Sequence, residues 1–417
     1  MGGLASGLIG SAAATGARHL LQGRRPSPGD MFLTPSNAQR LTRELSQMRG
    51  AAMKMGQLLS LEAGDILSPE LAALLQPLQS QAHFMPPAQL KKVLEAAWGA
   101  DFTKHFKRFD VRPIAAASIG QVHRAQTRDG RDLAIKIQYP GIRDSIDSDL
   151  RNLSSLMRVS GLVPKGLDLK PLLEDAGRQL HEEADYLQEA GNLERFGDLL
   201  DTDQHFVVPS VHMDLSTPDI LAMDFIPSQS LDTLDTADQA TRDHVAYQLI
   251  ALMMREVFEF GRIQSDPNFA NFRWQPDAEK IVLLDFGATH VIDTDLSARS
   301  RAILQPALDD DHAGIERALT DLGLLSATIP EKTRVEILDM VATANGPMLE
   351  AAGFDFGDTS LVADLRDRGM ALGRDRSIQH IPPTDVLYLQ RKAAGLFLLA
   401  TRLRARVNLR ELFLRHA

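Results

Sequence analysis

Two short stretches in the second half of the chain place acids and an amide in a pattern suited to metal and phosphate chemistry. In the first stretch Asn271 follows Asp266 by five residues, and in the second Asp285 opens an Asp-Phe-Gly at the end of an apolar run. Carboxylate and amide oxygens are ligands for Mg²⁺, and a further acid can orient or deprotonate an acceptor. The pattern predicts phosphoryl-transfer chemistry, with Asn271 and Asp285 on magnesium and Asp266 at the acceptor.

The spacing of the two stretches predicts the element that joins them. Fourteen positions separate Asn271 from Asp285, which is enough for a β-hairpin. Residues 274–279 have the composition of its turn, and the apolar run at 280–284 is typical of its second strand. An isolated Asp-Phe-Gly also fits a polar turn after a buried strand. The Asp–Asn pair, its order and its spacing favour the metal-binding interpretation.

A lysine and a small-residue loop upstream fit the same chemistry. Lys136 ends a Leu-Ala-Ile-Lys run, the strand position from which protein kinases hold the α- and β-phosphates. Residues 115–122 stand where a kinase has Gly-x-Gly-x-x-Gly-x-Val. The third glycine is present as Gly120, whereas Ala115 and Ala117 replace the first two. Because a Cβ atom restricts the backbone and its approach to phosphate, we predict a nucleotide contact unlike that of a glycine loop. An alanine-rich run is also common at helix starts, and the distance to Lys136 favours the loop.

Taken together, these stretches resemble the UbiB family of atypical kinases, also called the aarF-domain-containing kinases. The family's signature motifs are matched by Lys54-Met55-Gly56-Gln57, Ala115-Ala116-Ala117-Ser118 and Glu183-Ala184-Asp185. The Asp-Pro-Asn form of the catalytic loop is similar to the branch that supports coenzyme Q biosynthesis in mitochondria and in related bacteria. The resemblance covers nearly the whole chain.

The resemblance implies roles for particular residues. Lys136 would pair with Glu189 in the active arrangement. Lys54 and Gln57 would belong to an N-terminal extension that folds over the active site, near the Glu-x-Asp acids. The implied catalytic residues are Asp266, Lys136, Glu189, Lys54, Gln57, Glu183 and Asp185. The implied nucleotide-binding residues are Ala115, Ala116, Ala117, Ser118, Gly120, Val122 and Lys136, and the implied metal ligands are Asn271 and Asp285.

The activity that the resemblance implies is that of an ATP- and Mg²⁺-dependent atypical kinase or ATPase that supports ubiquinone biosynthesis at a membrane. Ile263-Gln264-Ser265 stands where ordinary kinases have His-Arg-Asp, and no Ala-Pro-Glu follows Asp285, so peptide phosphorylation is disfavoured. Two alternatives stay open: a nucleotide-switched, non-catalytic scaffold or lipid-binding chaperone for quinone biosynthetic enzymes, and a protein kinase acting in trans. A membrane surface or lipid and quinone biosynthesis proteins are the implied partners, and a homodimer is left open.

The expected fold is α+β, a protein-kinase-like two-lobe fold with an N-terminal helical extension. We expect an N-terminal segment over residues 1–33, the extension over 34–108, a sheet lobe over 109–225 and a mainly helical lobe over 226–417. Helices are predicted over 142–160 and 168–200. The sheet of the first lobe is predicted to use residues 109–111, 122–125 and 133–137, with 207–209 and 220–223 as its remaining strands.

Bulk composition limits the partners and the metal chemistry. The 417 residues are 44% hydrophobic and 24% charged, as in ordinary globular proteins. A net charge of −10 argues against a nucleic-acid partner. The chain has no cysteine, which excludes disulfides and thiolate metal sites and permits a reducing compartment. No His-Glu-x-x-His, Walker A loop or Gly-x-Ser-x-Gly elbow occurs.

The first 17 residues carry no charge and are rich in alanine, glycine and serine. The run is too weakly hydrophobic for a confident membrane span, and its arginines follow the apolar stretch, unlike those of a signal peptide. A flexible tail and a membrane-contacting helix both fit, and Gly3 and Gly7 would allow close helix packing in a bilayer. The expected location is peripheral on the cytoplasmic side of the inner membrane in a bacterium, or mitochondrial in a eukaryote.

Overall fold

A computed structural model of the chain describes residues 84–117, 119–160, 170–373 and 382–417. Lys54, Gln57, Ser118 and the predicted segment over residues 1–33 lie outside the described residues. The chain divides into two compact units, one that runs up to Gly191 and includes Ser210–Phe225, and one made of Asn192–Pro209 and Ile226–Ala417. Within the described ranges, no helix is both long enough and apolar enough to cross a membrane.

The first unit is built on an antiparallel sheet. Its strands are β1 (Phe106–Phe109), β2 (Ala115–Ala116), β3 (Gly120–Thr127), β4 (Asp132–Gln138) and β6 (Ile220–Asp224). They lie in the order β1-β3-β4-β6, with the short β2 paired to β3. Helix α1 (Pro87–Trp98) begins with proline at its first position and buries Leu90 and Leu94 in the same core as Leu133, Ile135 and Ile137 of β4. The predicted strands at 122–125 and 133–137 are therefore confirmed as the centre of this sheet.

The β3–β4 hairpin sets the face on which Lys136 lies. The strands are joined at Asp129-Gly130, where Gly130 adopts a φ of 99° that suits glycine. Lys136 lies opposite Val122 in the ladder. Because side chains alternate along a strand, Lys136 projects from the face opposite to the core residues Ile135 and Ile137.

Three helices follow the hairpin: α2 (Ile142–Ser160), α3 (Lys170–Glu183) and α4 (Tyr186–Leu199). The prediction of one helix over 168–200 is wrong, since the helix is interrupted at Ala184 and Asp185. The Asp185 carboxylate accepts a hydrogen bond from the Gln188 main-chain N–H (3.0 Å), which caps α4. The Ala184 carbonyl accepts hydrogen bonds from Gln138 Nε2 (2.7 Å) and Arg143 Nε (3.0 Å), which hold the corner in place.

The second unit contains the C-terminal half of α4, a four-stranded sheet, two strand pairs and most of the helices. Its strands are β5 (Phe206–Val207), β7 (Gln229–Ser230), β8 (Arg262–Gln264), β9 (Phe272–Gln275), β10 (Lys280–Leu283), β11 (Thr289–Val291), β12 (Phe354–Asp355) and β13 (Arg406–Val407). The four-stranded sheet has the order β5-β10-β9-β7. The further helices are α5 (Gln239–Arg255), which continues as a π-helical turn (Glu256–Phe260), α6 (Thr294–Arg301), α7 (Leu304–Leu308), α8 (His312–Asp321), α9 (Glu331–Met348), α10 (Ser360–Gly373), α11 (Thr384–Leu403) and α12 (Leu409–His416).

The hairpin predicted between Asn271 and Asp285 is present. Strands β9 and β10 pair antiparallel, with Phe272 opposite Leu283, and Glu279 takes the left-handed turn position at a φ of 51°. Strand β5 was expected to join the sheet of the first lobe. It instead pairs parallel to β10, with Phe206 opposite Ile281. A two-residue apolar strand carries no pattern that selects its partner, so this assignment could not be made from sequence.

Candidate active site

In the first unit, Lys136 and Glu189 form a buried ion pair. The Lys136 Nζ atom lies 2.8 Å from each oxygen of the Glu189 carboxylate, and the two side chains are 9% and 0% exposed. Glu189 stands in the first turn of α4, and its main-chain N–H donates to the carbonyl of Asp185 (3.0 Å). The capped start of α4 therefore places the Glu189 carboxylate beside Lys136 on β4.

Tyr186 and Gly120 shape the surroundings of this pair. The Tyr186 ring lies 5.0 Å from Lys136 Nζ, within range for a cation–π contact. A Cβ atom added to Gly120 would collide with the carbonyl of Ile137 and lie 2.9 Å from the Tyr186 hydroxyl. Only glycine fits at residue 120, so the glycine retained in the alanine-rich run is explained by close packing of β3 on β4 and α4.

The alanine-rich run forms a tight hairpin rather than a helix start. Strand β2 places Ala115 opposite Val122 and Ala116 opposite Gln121. The Ala117 main-chain N–H donates to the Gly120 carbonyl (2.9 Å) and closes the turn. Ala115 and Ala116 are exposed. The hairpin thus presents small side chains and main-chain groups to solvent directly before the strand pair that carries Lys136.

The Glu-x-Asp acids lie at the α3–α4 corner. Glu183 ends α3, and Asp185 caps α4; both side chains are half-buried. The structure therefore brings Asp185 close to the start of the helix that carries Glu189.

In the second unit, Asp266, Asn271 and Asp285 are brought together by the β9–β10 hairpin and the loop before it. The Asn271 Nδ2 donates to the main-chain carbonyl of Asp266 (3.1 Å), and the Leu284 N–H donates to the Asn271 carbonyl (3.0 Å), one residue before Asp285. The Gly287 N–H donates to the Asp285 carboxylate (3.1 Å). The side chains of Asn271 and Asp285 therefore flank the base of the hairpin, and a second acid, Asp266, lies on the adjoining loop.

This donor set fits magnesium. The hydrogen bond from Asn271 to Asp266 engages the amide nitrogen, which leaves the amide oxygen to act as a ligand. Mg²⁺ keeps several waters and takes one or two protein oxygens together with substrate phosphates. Across the described part of the chain, no group of three or more histidine or acidic side chains is arranged to hold a metal ion. The amide oxygen of Asn271 and the carboxylate of Asp285 are donors of the kind that Mg²⁺ takes.

The sequence did not single out the residues that fix Phe286. Its carbonyl accepts a hydrogen bond from Asn192 Nδ2 (3.0 Å), and its ring packs on Phe196 with centroids 4.5 Å apart. Asn192 and Phe196 follow Glu189 by three and seven residues on α4, a spacing that places all three on one helix face. This spacing is the feature of the sequence from which Asn192 and Phe196 could have been assigned to the site.

Comparison with known proteins identifies the family. A model of the ABC1 atypical kinase-like domain matches residues 77–319. The chain belongs to this family, the ABC1 or UbiB atypical kinases. It is 36% identical over 414 residues to the mitochondrial atypical kinase COQ8 of Saccharomyces cerevisiae, covering 99% of this chain and 82% of the relative. It is 35% identical to the mitochondrial atypical kinase COQ8B of Rattus norvegicus, covering 99% and 78%.

Among solved structures, the fold is similar to that of Rv3197 from Mycobacterium tuberculosis, whose structure was solved as a complex with erythromycin. The TM-score is 0.62 at 23% identity, covering 90% of this chain and 94% of the other. The α+β, kinase-like fold predicted from sequence is confirmed, as are the family and its class of activity, that of an atypical kinase or ATPase.

Proposed function

We propose that this protein binds Mg-ATP and uses it for phosphoryl transfer or ATP hydrolysis in support of ubiquinone biosynthesis at a membrane. The observation that carries the proposal is the buried Lys136–Glu189 pair, with Nζ 2.8 Å from both carboxylate oxygens, in a member of an atypical kinase family. In kinases such a pair aims the lysine at the α- and β-phosphates of the nucleotide. The intact pair favours retained chemistry over a purely structural pocket.

The residues of the first unit would act on the nucleotide. Lys136 would neutralise charge on the α- and β-phosphates, and Glu189 would hold its ammonium in position. Residues 115–117, Ser118, Gly120 and Val122 would form the loop over the phosphates. Alanine Cβ atoms on this loop would keep its main chain further from phosphate than glycine does.

The residues of the second unit would act at the transferred phosphate. Asn271 and Asp285 would hold magnesium, which supplies charge neutralisation on the phosphate oxygens. Asp266 would orient the acceptor hydroxyl or a water and accept its proton. Catalysis here would rest on positioning and electrostatic stabilisation rather than on a covalent intermediate.

The acceptor is not a peptide in this proposal. Ile263-Gln264-Ser265 stands where ordinary kinases have His-Arg-Asp, and all three residues are buried. The N-terminal extension with Lys54 and Gln57, near Glu183 and Asp185, would occupy the place of a protein substrate. A small phenolic quinone precursor or a water molecule fits this arrangement better.

The cellular setting follows from the relatives. Two of the relatives at 35–36% identity are mitochondrial proteins of the COQ8 type. We propose the mitochondrion as the location if the source is eukaryotic, and the cytoplasmic side of the inner membrane if it is bacterial. Peripheral contact with an anionic membrane and with other quinone biosynthesis enzymes completes the proposal.

The test is an ATPase assay with Mg²⁺ on the full chain, with and without anionic liposomes and a phenolic quinone precursor. We expect Lys136→Ala and Asp285→Asn to lower kcat/KM at least about 100-fold, the scale seen when one charge-stabilising group is removed. Lys91→Ala, at a 67% exposed lysine of the first unit, and Asp277→Asn, in the exposed β9–β10 turn, are the matched controls. Unchanged hydrolysis in both site variants contradicts the assigned roles. Nucleotide binding without turnover in the wild type favours a nucleotide-switched scaffold instead.

A further inference from the structure

A second buried ion pair lies in the second unit, apart from the residues assigned to nucleotide and metal. Lys392 of α11 and Glu256 of the π-helical turn have side chains that are 2% and 1% exposed, with Nζ 3.1 Å from Oε2 and 3.4 Å from Oε1. Burial raises the pKa of the Glu256 carboxyl, and the Lys392 ammonium opposes that rise. Burying a pair this deeply carries a large desolvation cost for each ion, and apolar residues of similar volume often replace such a pair without loss of stability.

The third member of this cluster is Gln264, the last residue of β8. Its side-chain Oε1 accepts a hydrogen bond from Lys392 Nζ (3.3 Å). An ammonium group only donates hydrogen bonds, so the amide oxygen must face Lys392. The amide nitrogen then faces the opposite way and donates to the main-chain carbonyl of Asp266 (2.8 Å).

The Asp266 carbonyl is therefore held by two amides, those of Gln264 and Asn271. One of these belongs to a residue assigned to magnesium, and the other is oriented by Lys392. If the Gln264 amide turned over, its oxygen would face the Asp266 carbonyl, and two acceptors would repel. The orientation of the Gln264 amide thus determines whether the Asp266 main chain is held by a hydrogen bond or repelled.

Helix α11 touches the same loop a second time. Gly395 lies one turn after Lys392, on the same face of the helix. A Cβ atom added to Gly395 would stand well inside van der Waals contact with Cβ and Cγ of Pro267, the residue that follows Asp266. Pro267 is buried, so it packs directly on the helix backbone and has little room to withdraw.

We propose that α11 positions the catalytic loop, residues 265–271. Lys392 orients the Gln264 amide so that it holds the main chain of Asp266, and Gly395 leaves the space in which Pro267 packs against the helix. Lys392, Gln264 and Gly395 are positioning residues, since each acts through the loop. The inference rests on the proposed function only in its consequence for turnover; the claim about the loop stands on the contacts themselves.

The principal variant is the double substitution Lys392→Met/Glu256→Gln in the full chain. Both new side chains are neutral and close in volume to the originals. No unpaired charge is left buried, so we expect a melting temperature within about 4 °C of the wild type. Lys332→Met, at an exposed lysine of α9, is the matched control.

Two readouts separate positioning from simple stability. Hydrogen–deuterium exchange should become at least about tenfold faster in peptides that span residues 265–271, because the Asp266 carbonyl loses an oriented donor, while exchange in α9 stays unchanged. The kcat for ATP hydrolysis should fall about 10- to 100-fold, the scale expected for a displacement near 1 Å, with the nucleotide dissociation constant unchanged.

Gly395→Ala is the second variant, since it disturbs the loop without touching a charge. Alanine normally stabilises a helix interior relative to glycine, so slower turnover and faster exchange at 265–271 cannot come from a weaker helix. This variant keeps the proposal testable if the double variant fails to fold.

The outcomes are distinct. Normal exchange at 265–271 in a folded variant overturns the proposal, whatever happens to kcat. Faster exchange with an unchanged kcat in an active enzyme also overturns it, since the loop would then not matter for turnover. If the wild-type chain hydrolyses no ATP, the proposed function fails, and the exchange measurement alone decides whether α11 holds the loop.

Discussion

The Lys136–Glu189 pair gives a prediction whose size can be worked from the structure. In Glu189→Gln the lysine keeps one oxygen acceptor but loses its counter-charge in a site where the carboxylate is 0% exposed. Removing one partner of a buried pair costs about 3–5 kcal/mol, and the retained acceptor places this variant near the lower value. At about 2–4 °C per kcal/mol for a unit of this size, the melting temperature should fall by about 6–12 °C.

The same substitution should lower turnover by more than the loss of stability explains. At an assay temperature well below the transition the variant is folded, yet the Lys136 ammonium is no longer aimed by a fixed carboxylate. We expect kcat/KM for Mg-ATP to fall about 100-fold. Glu194→Gln, at an exposed position of the same helix α4, is the control and should change neither quantity.

A volume-matched apolar pair separates the structural role from the functional one. Lys136→Met/Glu189→Leu removes both charges, so its melting temperature should recover most of the loss seen in Glu189→Gln. Its turnover should stay at least as low as that of the single variant, because no cation remains for the phosphates. Wild-type turnover in either variant, measured by phosphate release and differential scanning calorimetry, would refute the role given to this pair.

Two further predictions concern the packing and the protonation of the first unit. Gly120→Ala should destabilise the protein by about 1–3 kcal/mol in chemical denaturation, because its Cβ meets the Ile137 carbonyl and the Tyr186 hydroxyl. Gly191→Ala, which has open space on α4, should stabilise it by about 0.5–1 kcal/mol. A change in the free energy of unfolding of the same sign in both variants would contradict the packing described. Burial lowers the pKa of His123, so the folded state binds fewer protons than the unfolded state, and stability should fall as the pH drops below about 6.5. His123→Gln should show a flatter dependence of melting temperature between about pH 7.5 and 5.5, and an identical slope would count against a neutral buried imidazole.

Local patterns in the sequence were sufficient to predict the two hairpins that carry Lys136, Asn271 and Asp285. The turn composition at 274–279 predicts the β9–β10 hairpin, although 274 and 275 belong to β9. The hairpin brings Asn271 next to the residue before Asp285. Asp129-Gly130 predicts the β3–β4 hairpin and therefore the strand on which Lys136 lies. Such features depend on neighbours in the chain, so their physical causes can be read from a short window.

Features that depend on distant partners could not be predicted. Nothing within 168–200 marks Ala184 as a corner, because the donors that hold its carbonyl come from Gln138 and Arg143. Lys392 is the clearest case: a lysine is among the least often buried residue types, and only the tertiary structure places Glu256 and Gln264 around it.

The ATP titration of the full chain by calorimetry, with and without Mg²⁺, tests the central claim most directly. The account predicts one nucleotide per chain, bound at least about tenfold more tightly with magnesium than without it. It predicts that Asp285→Asn removes the magnesium dependence and that Lys136→Ala weakens binding under both conditions. Absence of ATP binding, or binding that ignores magnesium and both substitutions, would contradict it.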